Sequence, residues 1–220
     1  MKRNFWLYSS IAQQRHTSGS LIGFGAQVGI KAKVIQDLDT LRDFNTSLRS
    51  QQADDQIAIA RDFGLDYLID CVRILIFFEN YMKAELIIRD FCVHLIDRSR
   101  ADRPATIALA KQQDKRPITL SEVIAVSPFL IYEPANWCTN IILKETTIGL
   151  GVLLQPTYRQ HYLFDDHIWR TVKQLNILRN KLHFNTGAEF QLSTAFIKEI
   201  EGIEQFIRTT VKRLVPHIKN

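Results

Sequence analysis

Residues Asp165 to Phe184, DDHIWRTVKQLNILRNKLHF, carry the clearest helical pattern of the chain. Successive residues of a helix lie about 100° apart, and this spacing brings four apolar side chains onto one face, those of Ile168, Val172, Leu175 and Leu182. Such a face is typical of a helix that packs on a core. The stretch begins with two residues typical of a helix N-cap, Asp165 and Asp166, and it is followed by a turn signal, Asn185-Thr186-Gly187. The pattern predicts an amphipathic helix that ends close to His183.

A positive charge interrupts this apolar face. Arg179 lies in the middle of the arc, and His183 lies beside it, because positions i and i+4 are neighbours on a helix surface. A buried guanidinium is costly unless it is paired. We therefore expect either a carboxylate that pairs with Arg179 across the bundle, or a cleft that binds an anion.

The run from Gln56 to Asp97 predicts a second, central helix, because its apolar residues cover too wide a surface for a helix on the outside of a bundle. Gly64 predicts a break or kink in it. Two interpretations of its charges stay open. Glu79 forms an ordinary surface pair with Lys83, four residues later, or the carboxylate of Glu79, with Glu85 as second choice, points inward and pairs with the guanidinium described above.

Two segments together resemble the HEPN superfamily of helical domains. They are Arg179-Asn180-Lys181-Leu182-His183, an arginine and a histidine separated by a polar spacer, and FFENYMKAEL, residues 77–86. The resemblance implies a helical bundle with this motif before the final long helix. For active family members it also implies a metal-independent endoribonuclease. His183 would exchange a proton with the RNA 2′-hydroxyl or the leaving oxygen, Arg179 would stabilise charge on the phosphate, and Asn180 would orient the phosphate or the imidazole.

The same resemblance implies partners. HEPN sites are usually built from two protomers, so we expect a homodimer, and such proteins often belong to toxin-antitoxin or phage-defence systems, which implies RNA and an antitoxin protein as partners. Two alternatives stay open. The first is a non-catalytic module that binds RNA or a nucleotide or serves in dimerisation, and the short spacing between Arg179 and His183 favours it. In the second, both residues are structural, with the histidine stabilised at a helix C-terminus.

Charge is unevenly distributed along the chain. Its 28 lysines and arginines exceed its 23 aspartates and glutamates, for a net charge of +5. Between His167 and Ala188 there is no carboxylate, so the cations there form an electropositive region, to which nucleic acid is attracted. Besides the arginine of the motif, the RNA-binding candidates are Arg170, Lys173 and Lys181.

Several other classes of protein are disfavoured. The cysteines Cys71, Cys92 and Cys138 are odd in number and lack metal-ligand spacing, so we predict neither a disulfide framework nor a metal site, and no cofactor. No apolar segment is long enough to span a membrane, and the first 20 residues lack the apolar run of a secretory signal. The sequence therefore predicts a soluble, cytoplasmic protein without a membrane partner.

The chain as a whole predicts one all-α domain over residues 1–220, a bundle of about five or six helices. The polar segment near 102–117 reads as a linker. After it, Thr119 and Glu122 have the spacing of a capping box, which predicts a short helix from Leu120 to Val126. Between Trp137 and Leu154 either a helix or two extended pieces fits. A last helix is predicted from Ser193 to Leu214.

The N-terminal region predicts a short helix from Asn4 to Gln14 that ends at Thr17-Ser18-Gly19-Ser20. The glycines of the following segment, Gly23 to Gly29, allow two interpretations. A phosphate-binding loop would need a preceding strand and a Gly-Lys-Ser/Thr sequence, which are missing. A flexible entry into a helix is the better interpretation.

Overall fold

Helices make up most of the described part of the chain. The computed structural model describes residues 11–32, 53–98, 104–126, 143–184 and 202–213. In chain order, the helices are α1 (Ile11–Gly29), α2 (Ala53–Ile88), α3 (Pro104–Gln113), α4 (Leu120–Val126), α5 (Leu150–Leu153), α6 (Pro156–Arg159), α7 (Asp166–Phe184) and α8 (202–213). The strands are β1 (Phe91–Cys92), β2 (His94–Ile96), β3 (Ile118–Thr119) and β4 (Leu143–Thr147). The predicted helical class is thus confirmed, and the strands correct the expectation of an all-α fold.

Contacts divide the chain into two compact units. Unit 1 comprises Met1–Ile22 and Glu79–Leu163, and unit 2 comprises Gly23–Phe78 and Phe164–Asn220. The boundaries fall inside α1 and α2, so each of these helices contributes residues to both units. The single domain expected over residues 1–220 stays a prediction.

Unit 1 contains two small antiparallel sheets. Strand β1 pairs with β3, which places Cys92 opposite Ile118, and strand β2 pairs with β4, which places Ile96 opposite Leu143. Side chains from both sheets and from α3 and α4 form one buried apolar cluster, made up of Cys92, Ile96, Leu109, Ala110, Ile118, Val123 and Leu143. Burial of this apolar surface is the main stabilising contribution to this part of the fold.

The predicted linker near 102–117 is wrong for its central part, where α3 forms. Leu109 and Ala110 of this helix belong to the buried cluster. Gln113 is buried as well, and its carboxamide binds strand β2. Its Nε2 donates to the carbonyl oxygen of His94 (2.7 Å) and its Oε1 accepts from the backbone N–H of Ile96 (3.0 Å). A polar composition was misleading here because glutamine can be buried once both ends of its amide are hydrogen-bonded.

The predicted helix from Gln56 to Asp97 is confirmed as far as Ile88 and is wrong beyond it. Asp90 adopts φ = 63°, the left-handed conformation with which many helices end, and the chain then continues as β1 and β2. The predicted break at Gly64 is also wrong, since α2 passes through it without interruption.

The capping box is confirmed in both directions. The backbone N–H of Thr119 donates to Glu122 Oε2 (2.8 Å), and the backbone N–H of Glu122 donates to Thr119 Oγ1 (3.2 Å). Helix α4 has the predicted bounds, Leu120–Val126. Local side-chain chemistry is sufficient to start this helix.

In the N-terminal region the prediction is wrong, because α1 continues through the expected stop and through all of Gly23 to Gly29. A phosphate loop is thereby excluded at these glycines. Ser18 does not compete with the helix backbone, because its side chain is buried and Oγ donates to the carbonyl oxygen of Ala84 on α2 (3.2 Å). Tertiary packing outweighs the weak helix propensity of this sequence.

The described part of the last predicted helix is α8. Its Ile203 and Ile207 are fully buried, as the helical spacing predicts. Gly202 lies beside His167 at the start of α7, where an added Cβ would come within 3.2 Å of Nε2. Predictions for residues 1–10, 33–52, 99–103, 127–142, 185–201 and 214–220 lie outside the described residues, among them the start of the helix predicted from Asn4 and the turn at Asn185-Thr186-Gly187.

Candidate functional site

Helix α7 carries the candidate site, and its start is defined by a local cap. Asp165 Oδ1 accepts a hydrogen bond from the backbone N–H of Ile168 (2.8 Å), as an N-cap residue does. Asp166 follows in the first turn, where a negative charge interacts favourably with the helix dipole. The predicted helix of residues 165–184 is thereby confirmed to within one residue.

Aromatic side chains hold the beginning of α7 in the core of unit 2. Phe164 stacks on Trp169, with ring centroids 6.4 Å apart. Its ring meets Phe78 of α2 and Phe206 of α8 edge to face, at 5.7 and 5.9 Å. Such pairs contribute about 0.5 to 1.5 kcal/mol each beyond the area that they bury. Three helices are therefore joined through Phe164.

The face that packs on this core is the predicted one. Ile168, Val172 and Leu175 are buried. The side chain of Leu182 lies outside the described residues. The predicted apolar face is therefore buried over the first three turns of α7.

Arg179 and Asn180 are in contact near the end of this face. The guanidinium of Arg179 donates from Nε (3.3 Å) and from Nη2 (3.2 Å) to Asn180 Oδ1. Both distances are long for N–H···O bonds. Arg179 is half-buried and Asn180 is exposed. The cation thus lies at the surface of α7, where its acceptor is a neutral carboxamide.

Positions 181 to 184 belong to α7, but their side chains lie outside the described residues. The helix places the backbone of His183 one turn beyond Arg179. The roles of His183 and Lys181 stay predictions.

The remaining RNA-binding candidates lie earlier on the same helix. Arg170 and Lys173 are exposed. Arg170 Nε donates to the backbone carbonyl of Asp166 (3.3 Å). These two cations extend the positive charge of α7 towards its N-terminus.

The two carboxylates expected to support Arg179 each pair with a cation four residues later in the chain. Lys83 Nζ lies 2.5 Å from Glu79 Oε1, and Arg89 pairs with Glu85. The predicted pairing of Glu79 with Lys83 is therefore present, although Lys83 is buried and not at the surface. Because these glutamates belong to unit 1 and Arg179 to unit 2, the ion pair with Arg179 stays a prediction.

Asn176 is a site residue that sequence reasoning missed. It is 8% exposed, and within the described part of the chain its Oδ1 is a buried atom that accepts no hydrogen bond. It precedes Arg179, Asn180 and His183 by three, four and seven residues, which are the offsets of one helix face. That spacing was visible in the sequence, but nothing in the sequence showed that the amide is buried and unpaired.

Comparisons with known proteins do not assign the site. No protein-family model, curated protein or solved structure matches this chain. The argument for function therefore rests on the residues of α7 and their geometry.

The described residues show neither a metal site nor a membrane-spanning helix. Among them, no three histidine, cysteine or carboxylate side chains are grouped so that they could hold a metal ion. In the same ranges, no helix has the length and apolar character needed to cross a membrane.

Proposed function

We propose that this chain is a metal-independent endoribonuclease of the HEPN type, with Arg179, Asn180 and His183 as its catalytic residues. The observation that supports it most is the hydrogen bonding of the exposed guanidinium of Arg179. Among the described residues it makes no ion pair and donates only to Asn180 Oδ1. A guanidinium whose charge is not neutralised by a carboxylate is available to a phosphate, which it can bind through two parallel N–H donors.

The chemistry follows from the residue types. Attack of an RNA 2′-hydroxyl on the adjacent phosphorus needs a base, an acid and stabilisation of the charge that develops on the phosphate oxygens. An imidazole can take the proton from the 2′-hydroxyl or give one to the leaving oxygen, and His183 supplies it. Arg179 stabilises the phosphate charge. Asn180 orients the phosphate or the imidazole, and Arg170, Lys173 and Lys181 attract the RNA backbone.

The proposal extends to assembly and biological role. Two copies of the chain form a homodimer in which both His183 side chains line one cleft. The protein acts as a toxin or phage-defence component that an antitoxin protein controls. The electropositive, carboxylate-free sequence between His167 and Ala188 supports RNA as the substrate.

The decisive experiment is RNA cleavage in the presence of EDTA. The wild-type protein is expected to cleave RNA and to leave 2′,3′-cyclic phosphate ends. His183→Ala should abolish cleavage and keep the fold, because a residue at a helix end contributes little to the core. Arg179→Ala should also abolish cleavage, with circular dichroism as the check on folding.

A second function has one observation in its favour, the short spacing between Arg179 and His183. In this alternative the chain is a module that binds RNA or a nucleotide, or serves in dimerisation, without catalysis. RNA binding with strong salt dependence, no cleavage, and equal binding by His183→Ala would establish it in place of the nuclease.

A further inference from the structure

We propose that Asn176 is a positioning residue that receives the guanidinium of Arg179 when an RNA phosphate is bound. This inference rests on the function proposed above. In the arrangement described, Arg179 donates to Asn180 Oδ1. When a phosphate binds, the guanidinium of Arg179 moves towards the preceding turn of α7 and donates to Asn176 Oδ1. The carboxamide of Asn180 is then free to contact the substrate.

The first argument is the unpaired acceptor itself. Asn176 is 8% exposed, and its Oδ1 is buried with no donor among the described residues. A buried polar atom without a hydrogen bond destabilises a protein. An apolar side chain at this position of α7 would avoid that penalty, so a role of the amide in binding explains its presence.

The second argument is helix geometry. Residues 176 and 179 are three apart, so their Cβ atoms lie about 5 to 6 Å from each other. Cα–Cβ bonds in a helix tilt towards its N-terminus, and long side chains lie over the preceding turn. The preferred direction of Arg179 is therefore towards Asn176.

Hydration accounts for the position of the guanidinium on Asn180. Its two hydrogen bonds there are long, at 3.2 and 3.3 Å, but they leave the charge close to water. Moving a lone cation towards a buried acceptor removes its hydration, which is unfavourable without a counter-charge. A phosphate supplies that counter-charge, so the inward position becomes favourable when RNA binds.

The test is a double-mutant cycle on RNA affinity. The probe is a single-stranded RNA oligonucleotide, and all variants carry His183→Ala so that binding is measured without cleavage. Asn176→Leu should weaken binding about tenfold when Arg179 is present, since a hydrogen bond to a charged group is lost. In the Arg179→Ala background, Asn176→Leu should change affinity less than about twofold.

Thermal unfolding of the same proteins without RNA gives the second readout. Asn176→Leu has similar volume and removes the unpaired acceptor, so Tm should rise by about 2 to 4 °C. Gln174→Leu, at an exposed position of the same helix, is the control and should leave RNA affinity unchanged. If Asn176→Leu does not fold, Asn176→Ala is the second variant, with the same expected loss of affinity.

The outcomes separate the two proposals. If RNA does not bind to the parent protein, the proposed function fails and the inference fails with it. If RNA binds and Asn176→Leu binds equally well, only the inference is wrong. A loss of affinity that is the same with and without Arg179 also overturns it, because Asn176 then does not act through that residue. A lower Tm for Asn176→Leu would show that the amide is a structural group.

Discussion

Gly29 and Phe77 are so close that a Cβ atom added to Gly29 would lie 3.0 Å from the Cβ atom of Phe77. This contact joins α1 to α2 within unit 2, and Ile207 of α8 lies next to it at 3.6 Å. Both Gly29 and Phe77 are buried. The small size of glycine matters here, since a Cβ atom at this distance is tighter than most real Cβ contacts and the neighbouring ring would have to shift.

Gly29→Ala should therefore destabilise the protein. The added methyl group forces Phe77 or the backbone to move, and overpacking of this kind costs about 1 to 3 kcal/mol. Gly19→Ala in the same helix is the matched control, because nothing lies within 4 Å of the added Cβ. It should stabilise by about 0.5 to 1 kcal/mol, the difference in helix propensity. Urea unfolding measures both; equal effects of the two substitutions would contradict the close contact.

Gln113→Ala should remove roughly 2 to 4 kcal/mol from the free energy of unfolding. The substitution removes the two hydrogen bonds of the Gln113 carboxamide, to the carbonyl oxygen of His94 and from the N–H of Ile96. Lys111→Ala, at an exposed position of α3, should change stability by less than about 0.5 kcal/mol. Thermal unfolding in the two variants is the measurement, and a loss of similar size in both would show that Gln113 does not hold strand β2.

The Glu122 carboxyl makes stability depend on acid pH. Its pKa is lowered from 4.5 to about 2, chiefly by the hydrogen bond from Arg116 and also by the hydrogen bonds from Thr119, against the opposing effect of burial. The unfolded chain then binds more protons than the folded one between these values. Stability from Glu122 is complete above pH 4.5 and is lost as pH falls from 4.5 towards 2.

Glu122→Gln tests this dependence, because an amide does not titrate. Urea midpoints measured across that pH range should fall less steeply for the variant than for the wild type. Parallel curves for the two proteins would mean that Glu122 does not contribute to acid sensitivity.

Lys173→Ala should weaken RNA binding without lowering the cleavage rate of bound RNA. Lys173 is exposed on α7 and its expected contact is with a phosphate, so its loss should lower the slope of log K against log salt by about 0.7. Fluorescence anisotropy with labelled RNA at several salt concentrations gives the slope. Lys111→Ala, in unit 1, is the control. If it lowers the slope by the same amount, the change reflects net charge and not a contact made by Lys173.

The proposed homodimer should be seen by sedimentation velocity at micromolar concentration. In a mixture labelled at position 183, energy transfer between protomers should show the two His183 positions near each other. A monomer, or a dimer with these positions on opposite sides, contradicts the shared cleft.

Much of the candidate site was predictable because it is encoded locally. The apolar face of α7, its cap at Asp165 and the neighbouring positions of Arg179 and Asn180 depend on contacts within a few residues. The ion pair of Glu79 was predictable from local sequence too, since its partner Lys83 lies one helical turn away. The burial of Asn176 was not predictable, because it depends on which elements pack against α7.

The sequence alone determined the helices whose signals lie within one or two turns: α7, the capping box of α4 and the buried positions of α8. Tertiary structure decided the rest. Strands β1 and β2 are too short to show a period, and their hydrogen-bond partners, β3 and β4, come much later in the chain. Helix α3 lies in a segment with polar flanks, but it is held by the core that Leu109 enters and by the backbone groups that Gln113 binds. A short-range pattern contains no information about such distant partners, so these elements could not be predicted from the sequence and are decided by the tertiary structure.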